Sequence, residues 1–182
     1  FQMIAETIIN RKMAKYFGSN TCISIFPKKG YKRAVDKHKN IKRIGIKPEK
    51  ISVIYEGYDS KLFKPVKDDT LVSSLRPYYL FVGTIQPRKN LERLIRAFAK
   101  TDKILVIAGS KGWLSDEIYV LPKRLGIEDS VKFLGYVPEK DLPILYSGAI
   151  ALVFPSLFEG FGLPVLEALS CGCGVVASDI PA

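Results

Sequence analysis

Two glutamates, Glu159 and Glu167, stand eight positions apart around Gly160-Phe161-Gly162-Leu163-Pro164. Glu159 precedes a segment that reads as a helix with proline near its first turn, and Glu167 falls within it. Glycines on both sides of Phe161 let bare backbone N–H groups come close to a ligand. A helix start carries about half a positive charge and unpaired N–H donors. The N–H groups of Gly160, Phe161, Gly162 and Leu163 therefore suit phosphate oxygens, with Phe161 alternatively a wall of the site. Glu167 has the apolar neighbours Val165, Leu166, Ala168 and Leu169. That setting favours a buried, partnered carboxylate over one on an open helix face.

A second constellation lies upstream in Gly83-Thr84-Ile85-Gln86-Pro87-Arg88-Lys89-Asn90. It follows a strand and opens a helix, and it sets two cations side by side. Its spacing fits neither the P-loop nor the dinucleotide fingerprint. Taken alone, Arg88 and Lys89 read more readily as a solvated pair at a helix start than as a binding site. Other chemistries lack their residues. His38 is the only histidine, in a lysine-rich stretch, so no histidine metal site or Ser-His-Asp triad is supported. No Asp-x-Asp cluster is present either. Cys22, Cys171 and Cys173 are an odd count without framework spacing. They read as free thiols of a reducing compartment, the last two buried.

The elements that must carry these loops alternate in type. Strands are expected at Cys22–Phe26, Ile51–Tyr55, Tyr78–Val82, Ile104–Ala108, Val131–Leu134, Ala149–Phe154 and Gly174–Ala177. Helices are expected over 3–17, 31–45, 115–125 with Ser115 as cap, 139–147 and 163–171. Leu91, Leu94, Ile95 and Phe98 recur at i, i+3, i+4 and i+7, the period of one further amphipathic helix. Strands alternating with helices predict an α/β, doubly wound parallel sheet of Rossmann-like type. The strands are continuous apolar runs, as in a sheet covered on both faces. Ligands of such sheets bind at the carboxyl ends of the strands, where the loops after Val82, Ala108, Leu134 and Phe154 all fall. Gly109-Ser110 reads as part of that site or as a plain strand-ending turn. Trp113 reads as a loop tryptophan.

The run Pro155-Ser156-x-x-Glu159-Gly160-Phe161-Gly162-Leu163-Pro164-x-x-Glu167-Ala168-x-x-x-Gly172 resembles the E-x7-E region of retaining glycosyltransferase family 4, which has the GT-B fold. Glu56-Gly57-Tyr58-Asp59 with Phe63 and Pro65 resembles the segment that closes the N-terminal domain of that family, with Glu56 and Tyr58 departing from its pattern. The resemblance implies that 1–65 is the end of the acceptor-side domain and linker, and 66–182 an incomplete nucleotide-sugar donor domain. It implies that Lys89 and, displaced from its usual position, Arg88 neutralise the donor diphosphate near Gly83. It implies that Glu159 accepts hydrogen bonds from the transferred sugar and Glu167 from the nucleotide ribose. Gly135-Tyr136-Val137-Pro138 resembles the base-binding loop, so Tyr136 and Val137 enter the donor site. The implied activity is hexosyl transfer, mannosyl or glucosyl, to a hydroxyl acceptor with retained configuration. Neither a metal nor another cofactor is implied. The chain looks like a piece of a longer protein and is expected to transfer no sugar by itself. Rival readings are a nucleotide- or phosphate-binding α/β module without catalysis, a related phosphorylase, and a nucleic-acid binder. The last lacks any recognised motif, so no nucleic-acid partner is expected.

The 182-residue chain is 47% hydrophobic and 25% charged, ordinary for a protein with a real core. Residues 1–65 hold 15 Lys/Arg and 5 Asp/Glu, and residues 66–182 hold 13 of each. The whole excess of +10 thus lies in the first third. Such a face could be a plain solvated surface, or could attract an anionic membrane or a phosphate-bearing, lipid-linked acceptor. No apolar run approaches the ~20 residues of a membrane span. The expected location is cytoplasmic, either free or peripheral on the inner face of the membrane.

Overall fold

A computed structural model describes residues 57–68 and 70–180 with their side chains, and the backbone of 22–24 and 51–53. The expected helices over 3–17 and 31–45, His38, Glu56 and most of the basic first third lie outside the described residues. Two units are distinguished, one of Phe1–Gly57 with Pro181–Ala182, the other of Tyr58–Ile180. In the first, strands β1 (Cys22–Ser24) and β2 (Ile51–Val53) pair in parallel.

The second unit is a five-stranded, all-parallel sheet with helices on both faces. Its elements run β3 (Tyr78–Val82), α1 (Leu91–Phe98), β4 (Ile104–Ala108), α2 (Asp116–Arg124), β5 (Val131–Gly135), α3 (Leu142–Gly148), β6 (Ala151–Phe154), α4 (Leu163–Ser170) and β7 (Gly174–Ala177). The spatial order is β5-β4-β3-β6-β7. The chain steps outward from β3 to β5, then crosses back to the other side of β3. Parallel crossovers are right-handed, so reversing their direction moves the connecting helices to the opposite face.

The core shows this directly. Leu80, Val106 and Leu152 pack with Leu145 and Tyr146 of α3 and Ala168 of α4. Their sequence neighbours Phe81, Leu105 and Ile107 pack with Leu91, Leu94, Ile95 and Phe98 of α1 and Leu121 of α2. Successive strand residues point to opposite faces, and here both faces are dry. That is why the strands carry no polar alternation. Burying each large side chain contributes about 1.5–3 kcal/mol, so two such layers hold the sheet firmly.

Several boundaries differ from expectation. The strand expected from Ala149 begins at Ala151, because the Ala149 N–H closes a turn on Tyr146 O at 3.2 Å and the Ile150 N–H bonds Tyr78 O at 2.8 Å. Residues Glu139–Asp141 form a 3-10 turn before α3, whose first turn contains Pro143. Ser115 stands at the start of α2 but does not cap it. Its hydroxyl instead donates back to Gly112 O at 2.8 Å.

Candidate active site

A doubly wound sheet opens a crevice where its strand order reverses, at the carboxyl ends of the two strands that diverge there. In this sheet those strands are β3 and β6, paired in register at Tyr79↔Ala151 and Leu80↔Leu152. The loops that leave them run side by side and are stitched together. Leu157 N–H bonds Arg88 O at 2.8 Å, Asn90 Nδ2 donates to Pro155 O at 3.2 Å, and Arg88 Nη1 donates to Phe158 O at 3.0 Å. Asn90 adopts a left-handed conformation with φ of 57°, which asparagine tolerates better than most residues. It separates the 3-10 turn Pro87–Lys89 from α1. Arg88 and Lys89 therefore project from that turn, directly before the start of α1.

Lys89 Nζ lies 2.6 Å from Glu159 Oε1, and Arg88 Nη1 lies 2.7 Å from Glu159 Oε2. Lys89 is 5% exposed and Glu159 9%, so this is no solvated pair, although the Arg88 side chain is 40% exposed. Two local features make room for the lysine. Its ammonium rests 4.6 Å from the centre of the Phe154 ring, a favourable cation–π placement. A Cβ on Gly83 would stand 3.4 Å from both Lys89 Cε and Nζ. Burial pushes the Lys89 pKa down, and pairing with Glu159 only partly offsets it. Burial by itself would raise the Glu159 carboxyl. The hydrogen-bonded Lys89 and Arg88, with the Ser156 hydroxyl close by, outweigh that and hold it below the ordinary range. Ser156 Oγ is fully buried and makes no well-formed hydrogen bond among the described residues. Its influence on Glu159 is thus one of proximity.

The cluster holds two cations and one anion in a partly dry crevice, a net charge of +1. Such a site can take an anion, because Coulomb attraction is stronger there than in water. Beyond Glu159 the chain passes Gly160, Phe161 and Gly162 into α4. Gly162 has φ of 89° and precedes Leu163, the first residue of that helix. Among the described residues, no hydrogen bond occupies the N–H groups of Gly160 to Leu163. Glu167 lies farther along α4, half-buried. It accepts a hydrogen bond from the Tyr146 hydroxyl at 2.8 Å. Burial raises its pKa and Tyr146 partly offsets that. Tyr136 and Val137 follow β5, with Tyr136 73% exposed and Val137 packed against the core. No hydrogen bond or ion pair among the described residues joins them to the Arg88–Lys89–Glu159 cluster. Cys171 and Cys173 are buried free thiols, with Cys171 pushed up to about 11 by burial. Trp113 is exposed and donates from Nε1 to Gln86 Oε1 at 3.1 Å.

Sequence reasoning passed over two contributors. Asn90 and Tyr146 are visible only through their partners. Gly109 admits two readings from the sequence, and its backbone setting accounts for the glycine. A Cβ there would meet Gly83 O at 2.0 Å. The loops after β3 and β4 run against each other with no space between them, and the Ile85 N–H bonds Ser110 O at 3.0 Å. Gly109→Ala is therefore expected to lower stability by about 3 kcal/mol, the upper range for overpacking. Gly160→Ala is expected to leave it unchanged, since nothing lies within 4 Å of a Cβ at that position. Urea denaturation of the two variants tests the contrast. Equal midpoints would mean that the loops separate easily.

Among the described residues, no three His, Cys, Asp or Glu side chains gather as a metal site, and no helix is long and apolar enough to cross a membrane. Residues 64–182, well over half the chain, match the family model described as Glycosyl transferases group 1. An O-antigen chain mannosyltransferase B of Escherichia coli is 43% identical over 57% of this chain and 29% of its own length. The O-antigen chain mannosyltransferase RfbU of Salmonella typhimurium is 34% identical over 77% of this chain and 38% of its own. The chain thus spans about a third of the length of these relatives. The solved structure of a sucrose-phosphate synthase from Thermosynechococcus elongatus superposes with a TM-score of 0.71 at 29% identity, over 98% of this chain and 43% of the other. With the family match, the relatives and the sheet topology in agreement, the chain belongs to the group 1 glycosyl transferases and matches the C-terminal domain of their GT-B fold.

Proposed function

We propose that the protein moves a hexosyl group from a nucleoside-diphosphate sugar to a hydroxyl acceptor, and that residues 66–182 bind the donor. The observation that carries this reading is the Arg88–Lys89–Glu159 cluster at the point where the strand order reverses. The bond from the sugar C1 to the diphosphate oxygen breaks, and the electron pair leaves with the diphosphate. Arg88 and Lys89 stabilise that growing negative charge more in the transition state than in the ground state. Glu159 orients the sugar through its hydroxyls. The acceptor oxygen bonds to C1 on the face that the diphosphate leaves, so the configuration is retained. The acceptor proton passes to a leaving phosphate oxygen.

In this reading the two side-chain cations supply the charge that a divalent ion would otherwise provide, and transfer needs no metal. Backbone N–H groups of Gly160 to Leu163 take further phosphate oxygens, Glu167 holds the ribose, and Gly83, Tyr136 and Val137 border the nucleotide. Residues 1–65 form the end of the acceptor-side domain and the linker. Their net charge of +10 meets an anionic membrane on the cytoplasmic side, where a lipid-linked acceptor is presented. The two curated relatives are named for mannose transfer to O-antigen chains. That favours mannose here and a role in cell-surface polysaccharide synthesis.

A thermal-shift panel of GDP-mannose, UDP-glucose and ADP-glucose on the intact protein tests the donor. A ligand at 100 times its dissociation constant stabilises by about 2.7 kcal/mol, so one base should stand apart from the others. A flat panel would refute donor binding. Turnover with the selected donor is expected to survive excess EDTA undiminished, and the product anomer read by NMR should match that of the donor. Loss of activity in EDTA restored by magnesium would overturn the metal-free mechanism.

A further inference from the structure

Glu167 has one hydrogen-bond partner among the described residues, the hydroxyl of Tyr146 on the neighbouring helix. Tyr146 is fully buried. Its ring meets the Phe63 ring edge-on at 6.2 Å. The residue before it, Leu145, accepts a hydrogen bond at its carbonyl from the Tyr78 hydroxyl at 2.7 Å, which ties α3 to the central strand. The tyrosine is therefore a fixed donor, held by the core of the sheet. The glutamate is a flexible side chain on a half-exposed helix. A rigid donor on Oε2 fixes the rotamer of such a carboxylate before any ligand arrives.

We propose that Tyr146 is a positioning residue for the ribose end of the donor: it holds Glu167 Oε2 and leaves Oε1 to accept from the ribose hydroxyls. This rests on the reading of Glu167 as the ribose-binding carboxylate. The electrostatics agree with the geometry. Burial, followed by the charge of Glu167, pushes the Tyr146 phenol far above its ordinary value, so it stays protonated and can only donate here. Burial raises the Glu167 carboxyl, the Tyr146 hydrogen bond lowers it, and the charge of Glu139 raises it further. Cys171 and Cys173, the other titratable groups near the pair, are themselves raised by burial and remain neutral thiols.

The test is calorimetric titration of the intact protein with GDP-mannose or UDP-glucose, whichever it binds, from below the ordinary carboxylate value of 4.5 up to neutral pH. Affinity should fall as pH drops through the raised Glu167 value, because the protonated carboxyl accepts less well. Tyr146→Phe keeps the ring packing. It should weaken binding about 10-fold, in line with loss of a hydrogen bond to a charged group, and shift the midpoint of the pH profile upward. Glu167→Gln should weaken binding and flatten the profile. The double variant should be no weaker than Glu167→Gln alone. If Tyr146→Phe matches the parent in affinity and midpoint while Glu167→Gln does not, Tyr146 is only a packing residue. If Glu167→Gln binds as the parent does, the ribose reading fails and this inference goes with it. Should Tyr146→Phe not fold, 3-fluorotyrosine at 146 gives a stronger donor in the same packing. It should move the midpoint downward, and an unmoved midpoint would overturn the proposal.

Discussion

Lys89→Met is expected to lower kcat for sugar transfer by about 10²–10³-fold, the loss found when one preorganised charge-stabilising donor is removed. Methionine keeps the apolar stem against Phe154 and beside Gly83, so the change removes the charge and little else. Stability should fall less than the ~3–5 kcal/mol of an orphaned buried charge. The reason is that Arg88 remains 2.7 Å from Glu159 and still neutralises it. The effect on donor affinity should be smaller than the effect on kcat. A leaving diphosphate gains charge as the bond breaks, so a fixed cation acts most strongly late in the reaction. Steady-state kinetics with saturating donor, together with a melting curve, separates the two quantities. A variant that keeps parental kcat would show that Lys89 serves only to neutralise Glu159. Arg88→Ala should be milder, because the 40% exposed guanidinium is screened by solvent.

The regular part of the fold was legible because it obeys short-range rules. β3 and β4 fall on the expected residues, since each is an unbroken apolar run bounded by a glycine or a polar turn. The four apolar positions of α1 are all buried. Boundaries slipped where the deciding contact lies far away in sequence. Ala149 and Ile150 are apolar enough for a strand, but the Tyr78 carbonyl takes the Ile150 N–H before the ladder begins. The same distinction runs through the site. The family resemblance implied that Arg88, Lys89 and Glu159 act together, while their mutual ion pairs depend on the strand order. That order places β6 next to β3 although α1, β4, α2, β5 and α3 intervene in the chain. Asn90 and Tyr146 gave no local signal, because each is defined by a partner 65 or 21 positions away.

Glu159→Ala should abolish most turnover, by about 10³-fold, while nucleoside diphosphate binds as well as before or tighter. The argument is one of charge. With Glu159 ionised the cluster is +1, and both of its cations already have an anionic partner. A donor diphosphate of about −2 must share them with the glutamate. Removing Glu159 leaves +2 for the diphosphate alone, and at an effective dielectric near 20 a nearby unit charge is worth enough to tighten binding by roughly 10-fold. The lost turnover then reflects the sugar, which has no carboxylate left to orient it. The fold reports separately on the same group. The Glu159 carboxyl is held below its reference value of 4.5, so its ion pairs stabilise the native state above that value. The stabilisation is lost as pH falls through the lower folded value. Glu159→Gln keeps an acceptor for Lys89 but cannot titrate, so its stability should vary less between pH 5 and 3 than the parent's. Titration calorimetry with GDP and UDP, beside urea melts across that range, checks both claims. If diphosphate affinity collapsed along with turnover in a variant that still melts cooperatively, Glu159 would be a scaffold for Lys89 and not a ligand of the sugar.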